Sequence, residues 1–165
     1  MQAGRREYPG RPVKLSGNMK RVEELLKQQY WIIDILPVQV PKKSEGQYFA
    51  VEQFYRTALR GKVQMQKFSL LLKLNCYVDV TLILPETEER TVNPAPDLLR
   101  QMMAEREVLL LFDDALITSD PEDTYLTLYH PDARLLALVR TLAGSEGLFV
   151  WQPAEEAARE KGGEL

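Results

Sequence analysis

Two short turns between three strand-like segments constrain the fold of this chain more than any other feature. The segments cover residues 107–112, 115–118 and 124–129 and consist mainly of aliphatic residues, Thr and Tyr. The turns, 113–114 and 119–123, are rich in Asp, Ser and Pro, which favour turn conformations. Parallel strands need a crossover of a dozen or more residues, whereas strands joined by so few residues pair antiparallel. We therefore predict an antiparallel meander in this part of the chain.

Apolar residues recur with helical or strand periods on both sides of the meander. Helical spacing predicts a helix that begins at Met19 and four more, over 48–59, 65–74, 96–103 and 131–142. Strand-like runs cover 30–36, 78–84 and 147–151, and 86–93 is interpreted as a polar loop. Helices that alternate with strands and a meander predict an α+β fold. We expect a mixed, mostly antiparallel sheet of about five or six strands, with helices packed on it, in a single domain.

The second helix has recognisable boundary residues. Ser44 and Gln47 have the spacing of a capping box, and Gly61 is typical of a helix end. We expect its apolar face to lie in the core, and the residues of that face are Tyr48, Val51, Phe54, Tyr55 and Leu59.

Both ends of the chain differ in composition from its middle. Residues 1–18 are rich in Gly, Arg and Pro without periodicity, and they are predicted to form a flexible basic leader. Residues 19–153 are predicted to form one α+β globular domain. Residues 154–165 are predicted to form a charged, partly helical C-terminal tail.

Length and cysteine content bound the class of protein. The chain has 165 residues, enough for one domain with its own hydrophobic core. Its single cysteine excludes an intramolecular disulfide, which favours a reducing compartment. No apolar run approaches the ~20 residues of a membrane helix, and residues 1–18 contain no apolar signal segment. We therefore expect a cytoplasmic protein that does not bind a membrane.

The small net charge conceals an asymmetry along the sequence. The formal charge is −3, but residues 1–62 contain 12 Lys and Arg against 6 Asp and Glu, and residues 63–165 contain 9 against 18. A basic half could contact phosphates and an acidic half would repel them. The alternative, which we favour, is that the halves intermix in the folded protein. Nucleic acid is thus an unlikely partner.

The sequence contains none of the glycine-rich phosphate-binding or nucleophile motifs. One Cys and one His also exclude the zinc motifs that need several of either. A Cys or Ser dyad would have to use His130 as its base, so His130 and Cys76 are the weak catalytic candidates. Cys76 is more simply interpreted as a core residue. No cofactor is indicated.

A run of acidic residues is the best chemical candidate. Its members fall within eleven residues, and they are Asp113, Asp114, Asp120, Glu122 and Asp123. Carboxylates gathered at one sheet edge can hold Mg²⁺, Mn²⁺ or Ca²⁺, and the metal could activate water for phosphoester hydrolysis. The alternative interpretation is that these residues only form turns.

Candidate binding residues lie mainly in the basic half. A basic patch could be formed by Lys42, Lys43, Arg56, Arg60, Lys62 and Lys67. The alternative, which we favour, is that these residues only form a solvated surface. Tyr48, Phe49 and Tyr55 are near enough in sequence to stack on bases. Trp31 and Trp151 are expected to pack in or beside the core, and an exposed Trp would mark a partner site.

These observations favour a non-catalytic protein-binding or regulatory domain. Its partner would be another protein or a second copy of the chain. Two alternatives stay open. One is a metal-dependent hydrolase or nuclease that uses the acidic run, and the other is a nucleic-acid-binding protein that uses the basic half.

Overall fold

The computed structural model describes residues 18–163. Of the predicted leader over 1–18, residues 1–17 lie outside the described part, and Asn18 is the first residue of a helix. The helices are α1 (Asn18–Leu25), α2 (Glu45–Thr57), α3 (Arg60–Asn75), α4 (Pro96–Glu105), α5 (Ala133–Ser145) and α6 (Ala154–Gly163). The strands are β1 (Tyr30–Asp34), β2 (Thr81–Ile83), β3 (Arg90–Val92), β4 (Val108–Leu111), β5 (Leu116–Ser119), β6 (Leu126–Tyr129) and β7 (Phe149–Trp151). None of these helices is long and apolar enough to cross a bilayer.

The strands form one sheet in the order β3-β2-β4-β5-β6-β1-β7. The predicted α+β class is confirmed. The sheet has seven strands, more than the five or six expected, and all its pairings are antiparallel. The additional strand is β3, which lies inside the predicted loop 86–93. It escaped prediction because it is a three-residue edge strand with a polar sequence.

The predicted meander is confirmed as β4, β5 and β6. Leu111 pairs with Leu116 across the first turn, and Leu116 pairs with Tyr129 on the other side. The backbone amide of Phe112 donates to the carbonyl of Ala115 at 2.9 Å and closes the turn. Because strands alternate their side chains, this register places the apolar residues of the three strands on two opposite faces.

Helices cover the two faces of the sheet unequally. On one face, α3, α4 and α5 bury the larger cluster, which includes Leu70, Leu74, Met103 and Val139. On the other face, α1 is only eight residues long and packs over β2, β4 and β5. The cluster under α1 ends at Tyr129. The same face of β6, β1 and β7 therefore stays outside this core.

The predictions for the surroundings of α2 were wrong in three respects. All 13 residues of α2 are described and none is buried, so its apolar residues do not form a core face. Ser44 makes no capping hydrogen bond through its side chain. Gly61 lies inside α3, and the helix break falls at Ala58 and Leu59. Glycine within a helix is tolerated at a cost of about 1 kcal/mol, so its presence alone does not end a helix.

One buried lysine joins α3 to the meander. Lys67 is 1% exposed. Its ammonium group donates to the backbone carbonyls of Asp120 and Asp123 at 3.0 and 2.9 Å. The Gln64 amide, one helical turn earlier, donates to the carbonyl of Pro121 at 2.8 Å. The β5–β6 turn is thus held by side chains of one helix, and burial lowers the pKa of Lys67 to about 8.

Replacement of Lys67 by methionine should change how stability depends on pH. The pKa of Lys67 is about 8 in the folded protein, against 10.5 for an unperturbed lysine. Between these values the unfolded chain binds the extra proton, so the free energy of unfolding rises with pH. A shift of this size corresponds to about 3 kcal/mol. We expect the wild type to gain about this much relative to Lys67→Met between pH 8 and 10.5.

Urea denaturation of both proteins at a series of pH values measures this difference. Tyrosines and other lysines also titrate in this range, but they do so in both proteins and cancel in the comparison. Parallel profiles for the two proteins would show that the Lys67 ammonium is not destabilised by burial.

Candidate functional site

A groove lies on the sheet face beyond α1, between the strands β6, β1 and β7 and the helix α2. It consists of two adjoining cavities of about 450 and 460 Å³, a size that suits small ligands or the side chains of a partner. Both cavities are lined by Asp34, Gln39, Tyr48 and Trp151. Their other aromatic walls are Tyr30, Tyr125, Tyr129 and Phe49. We call this site the aromatic groove.

The alternation of side chains along β1 explains which strand residues line the groove. Ile33 points into the main core, so Ile32 and Asp34 face the opposite side. The register then sets Ile32 beside Thr127 of β6 and Trp151 of β7. Tyr30 pairs with Tyr129, and their ring centroids are 5.7 Å apart. Three strands that are distant in sequence thereby form one aromatic floor.

The helix α2 supplies the opposite wall. Tyr48 and Glu52 are one helical turn apart, and the Tyr48 hydroxyl donates to the Glu52 carboxylate at 3.1 Å. Burial, reinforced by the charge of Glu52, raises the pKa of Tyr48. Burial also raises the pKa of Tyr125. These tyrosines therefore stay neutral at physiological pH and keep their hydroxyl protons as donors.

Asp34 is the most unusual residue of the groove. It is 5% exposed, and one of its carboxylate oxygens accepts from the backbone amide of Ile35 at 2.7 Å. Burial is the main reason that its pKa is raised, and the charge of Glu52 adds to the effect. The indole N–H of Trp151 lies close enough to lower this pKa in part, but it misses the geometry of a formed hydrogen bond.

The groove is acidic as well as aromatic. Asp34, Glu45, Glu52 and Glu155 line its two cavities. Within residues 18–163, no Lys, Arg or His is among the lining residues. Arg56 lies just outside, 3.9 Å from the Glu52 carboxylate.

The predicted acidic run does not form one site. Asp113 and Asp114 lie before β5, and Asp120, Glu122 and Asp123 lie after it, so the strand separates the two groups. Asp113 and Asp114 instead line a cavity of about 380 Å³ with Asp79 and Asp132. In the described part of the chain, no three His, Cys, Asp or Glu residues are placed to hold a metal ion.

The second acidic group meets the predicted basic patch. The Arg56 guanidinium lies 3.8 Å from the Asp123 carboxylate, and that of Arg60 lies 3.4 Å from Glu122. Lys42 and Lys43 are exposed in a single turn of 3-10 helix before α2, and Lys62 is exposed in α3. Basic and acidic segments of the sequence are therefore neighbours in the fold. Two members of the basic patch are paired, and the expectation that Lys67 belongs to an exposed patch was wrong, because Lys67 is buried.

The two weak catalytic candidates are not joined by a hydrogen bond. His130 is exposed, with a left-handed backbone (φ 59), and its Nδ1 lies 2.8 Å from the carbonyl of Asp114. Cys76 is exposed at the end of α3, and its thiol donates to the carbonyl of Leu72 at 3.5 Å. The interpretation of Cys76 as a core residue was wrong, because the chain leaves the core there.

The two tryptophans differ in role. Trp31 packs against the main core on the face away from the groove. Trp151 is half-buried and lines both cavities, so it belongs to the candidate site. Its indole nitrogen is buried without a hydrogen-bond partner.

Sequence reasoning missed Asp34 and Tyr125 as site residues, and it considered Tyr48 only as a core residue or a residue that stacks on bases. Asp34 was visible as the single charged residue in an otherwise apolar strand, 30–36. Its period-2 neighbours Tyr30 and Ile32 predict which side chains share its face. No pattern in the sequence predicted that α2 and Trp151 lie beside Asp34.

Comparison of the chain with models of protein families, with curated proteins and with solved structures found no match.

Replacement of Asp34 by asparagine should stabilise the protein at neutral pH. The amide keeps the size of the side chain and an oxygen that can accept from Ile35, but it removes a buried charge. Because the pKa of Asp34 is raised in the folded state, ionisation lowers the free energy of unfolding as pH rises through that pKa.

The gain from Asp34→Asn should therefore be largest near pH 7 and should shrink in acid. Urea denaturation at pH 7 and at pH 4 measures both values. A variant that is less stable than the wild type at pH 7 would show that the Asp34 carboxylate stabilises the fold.

Proposed function

We propose that this chain is a non-catalytic protein-binding domain, and that its docking surface is α2 together with the aromatic groove. The observation that carries the proposal is the exposure of apolar side chains on α2. Phe49 is 62% exposed and Phe54 is 57% exposed, and Val51 is exposed with them. Three large apolar side chains exposed on one helix exceed the scattered single ones of an ordinary surface. Phe49 and Phe54 lie about 140° apart around the helix axis, so Phe49 borders the groove and Phe54 lies outside its lining.

The exposed surface of α2 continues into the groove. Phe49 is exposed and also lines the cavity beside Glu45 and Glu52. Trp and Tyr, which form the walls of the groove, are enriched at protein interfaces, where they bury a large area and keep a polar end. A partner could therefore cover the apolar rim of α2 and insert a side chain into the groove.

The charge of the surface favours a different protein over a second copy of the chain. A twofold interface places the same surface patch of both copies face to face. Here that would bring Asp34, Glu45 and Glu52 of one copy close to those of the other, and like charges across an interface are unfavourable. A partner with complementary positive charge fits this surface better.

The two alternatives have less support. The acidic run is divided by β5, which leaves the metal-dependent hydrolase without its expected ligand set. Arg56 and Arg60 are paired with carboxylates, which reduces the positive surface available to nucleic acid. A cytoplasmic location stays a prediction from the cysteine content.

Loss of the exposed aromatic residues should weaken peptide binding. The probes are peptides selected from a random phage-displayed library on the immobilised protein and then synthesised with a fluorophore. Phe49→Ser combined with Phe54→Ser should weaken their binding by about tenfold or more, because truncation of central aromatic side chains commonly costs over 1 kcal/mol. Fluorescence anisotropy measures the dissociation constants.

Tyr77→Ser is the matched control, since Tyr77 is 68% exposed at the far end of α3 and lies outside the groove. It should bind the peptides as the wild type does. Equal affinity of the double variant, or failure of the library to yield any binding peptide, would contradict the proposal.

Sedimentation equilibrium should show a monomer, and a dimer dissociated by Phe54→Ser would show that the partner is a second copy.

A further inference from the structure

We propose that the aromatic groove binds a basic side chain, an arginine or a lysine, that the partner inserts. This inference rests on the proposed function and specifies the chemistry of the partner. It follows from three features of the groove: an aromatic wall, acidic lining residues and a buried carboxylate without a cationic neighbour.

The aromatic wall suits a cation. The rings of Tyr30, Tyr48, Tyr125, Tyr129 and Trp151 line one of the cavities. A cation within about 6 Å of an aromatic face is attracted by the negative face of the ring, most strongly over Trp, and a guanidinium can also stack on it. An aliphatic side chain would gain the apolar contact alone.

The carboxylates of the groove favour a positively charged side chain as the ligand. Glu52 already accepts from Tyr48 and lies near Arg56. Asp34 has no such cation, because no positively charged group among the described residues shifts its pKa. A buried carboxylate is unfavourable unless it is paired. An entering ammonium or guanidinium would supply the missing partner at the wall that both cavities share.

The indole of Trp151 provides a second contact. Its Nε1–H is buried beside the Asp34 carboxylate but forms no hydrogen bond of good geometry with it, which is unusual for a buried donor. A backbone carbonyl of the inserted segment could accept this hydrogen bond. The groove would then recognise both the basic side chain and the main chain that carries it.

Small neutral and charged probes test this assignment directly. The basic probes are Nα-acetyl-arginine amide and Nα-acetyl-lysine amide, and their neutral counterparts are the citrulline and Nε-acetyl-lysine analogues. Titration into ¹⁵N-labelled protein is followed by NMR at the indole N–H of Trp151, which Trp151→Phe distinguishes from that of Trp31. We expect the basic probes to shift this resonance and to bind about tenfold more tightly than the neutral ones.

Asp34→Asn should weaken binding of the basic probes to the level of the neutral ones. Since this variant is expected to be at least as stable as the wild type, its loss of binding cannot be attributed to unfolding. Asp97→Asn, which removes an exposed charge at the start of α4, is the control for net charge and should bind normally.

The outcomes separate this inference from the proposed function. Equal binding of basic and neutral probes, or no binding of either, would overturn the basic-side-chain assignment. Library peptides that depend on Phe49 and Phe54 but contain no Arg or Lys would also overturn it, while they would support a protein-binding domain. Library peptides whose single essential Arg or Lys loses affinity in Asp34→Asn would support both.

Discussion

The hydrogen bonds of the buried Lys67 ammonium group contribute most to the arrangement of this fold. The ammonium group lies inside the protein and donates to two carbonyls of the β5–β6 turn. A charged donor makes stronger hydrogen bonds than a neutral one, but its burial costs several kcal/mol. The same turn carries Asp123, which lies beside Arg56 of α2. Lys67 therefore fixes the meander against α3, and it places the turn that carries Asp123 next to α2.

The contacts around this turn also explain the unequal charge of the two halves of the sequence. Basic residues of α2 and α3 meet acidic residues of the β5–β6 turn, and Arg21 of α1 meets Asp114 at 2.7 Å. Exposed ion pairs of this kind contribute little to stability, about 0–1 kcal/mol each. Their effect is mainly on the surface, because segments of opposite charge become neighbours. The aromatic groove, in contrast, keeps its acidic character because its lining residues are all neutral or negative.

The groove combines features that lower stability with features that suit binding. Asp34 is a buried carboxylate without a neighbouring cation. The helix α2 buries none of its residues and exposes Phe49 and Phe54. Natural proteins often retain such features where function requires them, at a cost in stability. Asp34 and Phe49 lie on the side of the sheet where α1 is too short to cover β6, β1 and β7, and this side carries the proposed docking surface. The fold leaves this face accessible while α3, α4 and α5 bury the other.

The local elements and the class of the fold follow from the order of residues along the chain. The short turns required an antiparallel meander, and apolar periodicity located α3, α4 and α5, because both depend on residues that are near in the chain. The sequence did not reveal the edge strand β3, which has only three residues, two of them polar. The tertiary structure alone decided that α2 lies at the surface and that Asp34 faces Tyr48 and Trp151. It also decided that Lys67 meets a turn more than fifty residues away. These contacts depend on long-range packing, which no local pattern of residues encodes.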